Sequence, residues 1–163
     1  MVELNNFPMT RYQHCYSVGC KMYWYAKEVW RWDEQRCRDM FVLGNLHDIG
    51  YAFDGGKGID GVALAETMKS YYPYADEILY HAKYQENCVS DEMKLLYYAD
   101  MTVDGKGNWV TVDERLSDLI SRYGKESEVV IESIEIADKL EEWGMLKHDI
   151  DYCMEEEIDV VRA

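Results

Sequence analysis

Two prolines and three phenylalanines are all that the 163 residues contain of either type, and 17 lysines and arginines stand against 32 aspartates and glutamates. With only Pro8 and Pro73 to interrupt it, the chain has little that stops helices from propagating. The net charge of −15 repels phosphate backbones and anionic lipid, which excludes a groove for long DNA or RNA and a membrane-surface role. The same charge opposes any phosphorylated ligand unless the sign is reversed locally, as a bound divalent ion would do. No apolar run approaches the roughly 20 residues that cross a bilayer. The opening stretch MVELNNFPMTRYQH lacks the basic start and apolar core of a secretory signal. The five cysteines (Cys15, Cys20, Cys37, Cys88 and Cys153) are odd in number and contain no CxxC pair. Neither a disulfide framework nor a thiolate zinc site is expected, and a reducing cytoplasm is the simpler location.

At 48% hydrophobic and 30% charged residues, the composition suits one globular domain with its own core. The expected fold is all-α: a single domain over residues 1–163, with a core over about 10–125, C-terminal helices over 127–163, and about seven helices in all. A first helix is expected from about Tyr12 to Trp30, with His14, Val18, Met22, Tyr25 and Val29 on its inner face. Asp33 reads as the N-cap of a second helix reaching His47, whose latter half, MFVLGNL, is apolar on nearly all sides and predicts a central buried helix. Gly50 ends it, and the loop YAFDGGKGID follows. Further helices are expected from Gly61 to Tyr72, from Tyr74 to about Lys83, and from Ser90 through Asp100. The segment MTVDGKGNWVTV predicts a short β-hairpin near 101–111. Thr111 and Glu114 form a capping box before a helix with Leu116, Leu119, Ile120 and Tyr123 on its buried face. A last helix runs from Ser127 to Trp143, and the run Glu155-Glu156-Glu157 is a solvated face or tail.

Three core-facing helices each carry a metal-competent side chain inward: His14, the adjacent His47 and Asp48, and Asp100. Imidazole and carboxylate together suit Fe, Mn, Ni, Co, Zn or Mg as the divalent ion. Taken singly each residue has a plain reading, as a hydrogen-bonded core histidine or a capping aspartate. A second His-Asp pair, His148-Asp149, follows Lys147 in a charged stretch and reads as surface. Together, several polar groups in one core would be costly without a shared partner.

The ordered set RYQHCYSVG, LGNLHDIG, ILYHAKYQ and LLYYADMTV resembles the HD-domain superfamily of metal-dependent phosphohydrolases, over roughly residues 10–125. The resemblance implies an all-helical fold with His14, His47, Asp48 and Asp100 as metal ligands. Within the superfamily the chain looks most like bacterial proteins that cleave dinucleoside polyphosphates at a two-metal site. His81 matches one of their two additional histidines. The other stands in a His-Gly pair, where this chain has Asp60-Gly61, and Tyr51 occupies a place where many relatives have lysine. One or two ions per chain are therefore both open. The implied activity is hydrolysis of a nucleotide-type phosphoester or phosphoanhydride by a metal-activated water. Asp48 would orient the nucleophile or bridge two ions. Lys83, two residues after His81, and Arg11, three before His14, are candidates to contact the anion, each with a solvated surface charge as its plainer reading. Arg115 lies in the first turn of its helix, where the dipole disfavours a cation, which hints at a partner. The alternative is a catalytically silent relative that senses nucleotide or metal, and after it a metal-free helical interaction module. A small phosphorylated substrate is the expected partner, and a homodimer is left open.

Overall fold

Asp33, Ser90, Thr111 and Ser127 begin helices for one reason. Each holds its own backbone extended while its side-chain oxygen accepts a hydrogen bond from the N–H three residues on: Arg36, Met93, Glu114 and Val130 respectively. At Thr111 the bond is reciprocated by Glu114, whose carboxylate accepts the Thr111 N–H at 3.2 Å. The computed structural model describes residues 9–52, 69–70, 72–82, 84 and 89–148. Among these residues the fold is all-α: α1 (Met9–Glu28), α2 (Glu34–Leu46), a 3-10 turn (Ile49–Ala52), α3 (Ala75–Tyr80), α4 (Asp91–Met101), α5 (Val112–Tyr123), α6 (Glu128–Glu142) and a second 3-10 turn (Met145–His148). No described helix is long and apolar enough to cross a membrane. Residues 53–68, which hold most of the helix expected from Gly61 to Tyr72, and the chain beyond residue 148 lie outside the described residues, while Lys69 and Ser70 form a turn.

The core is organised around α4, whose Met93, Leu95, Leu96, Tyr97, Tyr98, Ala99 and Met101 are all buried. Tyr98 packs its ring on Tyr25 of α1 at 4.6 Å, and Tyr25 in turn meets Trp30 edge-on at 5.3 Å. Lys21 of α1 is buried in this layer. Its Nζ donates to the Thr102 carbonyl at 3.3 Å and lies over the rings of Tyr98 and Trp109, which replaces part of its lost hydration.

The sequence expectations need three adjustments. α2 is not buried on all sides: Cys37, Met40, Leu43 and Gly44 face inward, but Val42 is 44% exposed. The face is selected by glycine. A Cβ on Gly44 would lie 2.5 Å from the Gly19 Cα of α1, and one on Gly19 would lie 2.6 Å from the Phe41 carbonyl oxygen. The two helices therefore meet backbone to backbone. In α5 the buried positions are Val112, Arg115 and Leu119, while Ile120 and Tyr123 are exposed. That helix is rotated from its apolar expectation so that a guanidinium points inward. The expected hairpin reduces to one antiparallel bridge, Val103 to Trp109, closed by Val110 N–H to Thr102 O and Asp104 N–H to Asn108 O. Pairing goes no further because Trp109 turns onto α1, its Nε1 donating to Ser17 Oγ at 3.0 Å.

Alanine normally stabilises a helix over glycine by up to about 1 kcal/mol. At Gly44 the sign reverses, because the new methyl group meets backbone and not a movable side chain. Gly44→Ala is expected to lower stability by about 1–3 kcal/mol in urea unfolding. Gly105→Ala, with nothing within 4 Å of its Cβ, should be close to neutral.

Candidate metal centre

The crossing at Gly19 and Gly44 sets two imidazoles side by side. His14 lies before Gly19 on α1 and His47 caps the C-terminus of α2, and their ring centroids are 5.3 Å apart. α4 adds Asp100 in its last turn, and His81 comes from the C-cap of α3, 5.1 Å from the His47 ring. Asp48 follows His47 directly. The five side chains that the sequence singles out as ligand candidates thus lie in one place, at the end of the helices and next to a cavity.

All three histidines are oriented by the same device. Nδ1–H of His14 donates to the Asp104 carbonyl at 2.9 Å, that of His47 to Gly44 O at 2.6 Å, and that of His81 to Ile78 O at 2.6 Å. A carbonyl can only accept, so the proton is assigned to Nδ1 and each Nε2 is turned toward the carboxylates. His14 Nε2 lies 2.9 Å from Asp100 Oδ1, and His81 Nε2 lies 3.2 Å from Asp48 Oδ1. His47 Nε2 is 3.4 Å from Asp48 Oδ2 and 3.6 Å from Asp100 Oδ1, and it is fully buried with no hydrogen-bond partner.

The turn after α4 is built to present one of these carbonyls. The Asp104 carboxylate accepts the N–H groups of Lys106 and Asn108 and the Asn108 side-chain amide. Its carbonyl is thereby left facing α1. Gly107 passes over α1 with φ +87°, where a Cβ would lie 2.8 Å from the Gln13 carbonyl oxygen.

Charge is arranged as tightly as shape. Burial alone would lower the pKa of His47, but the Asp48 charge and contact with Asp100 overcome it, and His47 is held well above the ordinary imidazole value. Burial would raise Asp48, yet His47 and His81 keep its carboxyl far below the usual carboxylate range. Asp100 is likewise lowered, against burial, by its hydrogen bond with His14 and by the nearby His47 imidazole. Two ionised carboxylates facing bare or protonated imidazole nitrogens make a locus that favours positive charge. The donor set fits a divalent metal: atoms of His14, His47 and Asp100 lie within 4.8 Å of one another, and so do those of Cys15, His47 and Asp48. These groups could hold a metal ion.

Protein-family models, curated proteins and solved structures compared with this chain yield no match.

Beyond the five, Arg11 donates to Asp48 Oδ2 at 2.9 Å, although a solvated surface charge is its plain reading in sequence. Arg115 reaches to 3.8 Å from Asp100 Oδ1. Lys83, Asp60 and the side chain of Tyr51 lie outside the described residues. Sequence reasoning passed over Cys15 as a candidate. It follows His14 directly, so only its burial beside His47 distinguishes it from an ordinary core cysteine. It also passed over Arg122, which lines the same cavity as Asp48, His81 and Asp100.

Hydrogen bonds from Asn108 and Lys106 hold the Asp104 carboxyl below its ordinary value, against a partial burial that raises it. A lowered folded pKa gives stability that is present above the unfolded value and lost as pH falls through the folded one. Asp104→Ala is therefore expected to cost about 1–2 kcal/mol near neutral pH. The difference from wild type should shrink toward about pH 3 in paired urea titrations.

Proposed function

We propose that this chain is a divalent-metal-dependent phosphohydrolase of the HD type, acting on a nucleotide-type phosphoester or phosphoanhydride. His47 Nε2 carries the reading. It is a fully buried nitrogen without a hydrogen-bond partner, its proton committed at Nδ1 to Gly44, facing two carboxylates. A buried imidazole nitrogen left without a hydrogen bond costs about 1–3 kcal/mol, and a cation held by the same carboxylates removes that cost by taking its lone pair in place of a proton. His14, His47, Asp48 and Asp100 would hold the metal. When bound, a divalent ion supplies an activated water and draws charge from a phosphoryl oxygen.

The chain's own residues fill the remaining roles. Asp48 presents Oδ2 to Arg11 and His47 and Oδ1 to His81, so its two oxygens face different partners. That disposition suits a carboxylate shared between two ions, with His81 serving the second. Its strongly lowered pKa suits orienting a nucleophile better than storing the nucleophile's proton. Arg11 fixes the carboxylate and adds positive charge where the rest of the protein is acidic. The Arg11–Asp48 pair also favours a second reading, a metal-free polar network in a helical interaction module. That network satisfies Asp48 but leaves His47 Nε2 without a partner.

Elemental analysis of the purified protein separates the two. One or two equivalents of Fe, Mn, Ni, Co or Zn are expected, with loss of metal in Asp100→Ala. Metal-dependent phosphate release from nucleoside phosphates should fall by about 100-fold or more in Asp48→Asn. Protein that stays metal-free after soaking in Mn²⁺ or Ni²⁺ would sink the hydrolase reading.

A further inference from the structure

Arg115 is 6% exposed, yet neither its Nε nor its Nη1 has a hydrogen-bond partner. The nearest carboxylates stand at ion-pair range only: Asp118 Oδ2 at 3.5 Å from Nη1 and Asp100 Oδ1 at 3.8 Å from Nη2. Both already serve other groups. Asp118 accepts Arg122 at 2.8 Å, and Asp100 is bonded to His14 at 2.9 Å. The cation also sits in the first turn of α5, where the helix dipole opposes it. A buried guanidinium placed this way is costly by itself.

Arg115 borders a cavity of about 170 Å³ that the metal-competent cluster also reaches. Asp48, His81 and Asp100 line it together with Arg11 and Arg122. Its lining also includes apolar side chains, Leu119 on α5 and Val129 and Ile136 on α6. In a protein of net charge −15, three guanidiniums around one small cavity bring the local charge close to balance against Asp48, Asp100 and Asp118.

We propose that this cavity is the substrate subsite, and that it takes a phosphomonoester. The phosphate lies between the cluster and the open N–H groups of Arg115, and the organic group lies against Leu119, Val129 and Ile136. Arg122 stands at the mouth, where its side chain is 40% exposed and shared with Asp118. The planar fork of Arg115 matches a tetrahedral oxyanion through paired N–H donors, which a lysine in its place would not reproduce. This assignment rests on the metal reading above and names the substrate class for that site.

The test uses full-length protein loaded with Mn²⁺, its Mn²⁺ content and affinity determined first by electron paramagnetic resonance. Inorganic phosphate and the non-hydrolysable phenylphosphonate are then titrated by calorimetry. Phenylphosphonate is expected to bind about five- to tenfold more tightly than inorganic phosphate, from the apolar surface it covers. Arg115→Gln should weaken both by about tenfold or more while Mn²⁺ affinity stays within about twofold. The variant's metal-free melting temperature should not fall, because it removes an unsatisfied buried cation; a purely structural Arg115 would lower it. Arg122→Gln, at a partly exposed position, should weaken both probes by a smaller factor, and it decides the matter if Arg115→Gln does not fold. Unchanged phosphate affinity in these variants with Mn²⁺ retained would overturn the subsite and leave the metal reading standing. Equal affinity for the two probes would overturn the apolar contact. Wild-type protein that takes up no Mn²⁺ would remove the metal reading and this subsite with it.

Discussion

The contact on which the rest depends is the approach of α1 to α2 at Gly19 and Gly44, where an added Cβ would meet backbone at 2.5–2.6 Å. Side chains at these two positions would push the helices apart by the thickness of a methyl group. His14 and His47 ride on the same two helices and would separate with them. At the present spacing the two rings sit 5.3 Å apart, close enough for both Nε2 atoms to address one pair of carboxylates. α4 then closes the cluster with Asp100, and the turn that follows α4 brings the Asp104 carbonyl onto His14. Helix packing, tautomer and cluster are thus linked through a few backbone atoms.

The second constraint is electrostatic. A chain carrying 32 acidic residues against 17 basic ones has no general attraction for anions, so any anion site must be made locally. The structure concentrates cationic groups at one place: Arg11 on Asp48, Arg115 beside Asp100, and Arg122 on Asp118. Each guanidinium is tied to, or shared with, a carboxylate, which keeps the site near balance without added charge. A metal ion held by the same carboxylates would tip that balance toward binding an oxyanion. Arg115 is the group with the least compensation, since two of its nitrogens lack hydrogen bonds. Folding alone gives no return for burying it.

Much of the helix layout was legible from local chemistry. Asp33, Ser90 and Thr111 act as N-caps as their sequence context predicts, and Ser127, expected only as the start of its helix, caps it too, because capping is decided within four residues. The 3.6-residue pattern placed His14 on the same buried face as Val18, Met22 and Tyr25. Where the reading departed from the structure, the deciding neighbour was distant in the chain. Ile120 and Tyr123 look like core residues in isolation, yet the rotation of α5 exposes both and buries Arg115. The apolar run MFVLGNL looks buried on all sides, yet the close approach of Gly44 to Gly19 chooses one stripe and leaves Val42 exposed. The hairpin pattern of 101–111 was overridden by Trp109, which found a better partner in Ser17 of α1.

By itself, the sequence determined the helical class, the caps, and the presence of two histidines, an adjacent His-Asp and a distant aspartate on inward faces. These follow from spacing and residue type, which act over one or two turns. Only the tertiary structure decided that His14, His47, His81, Asp48 and Asp100 meet, since they come from four separate segments brought together by packing. It also decided that each Nδ1–H is spent on a backbone carbonyl, and that Arg115 faces the same cavity. A sequence shows which groups could bind a cation. Which of their lone pairs and N–H groups are left unpaired is settled by partners up to 90 residues away, and so by the fold alone.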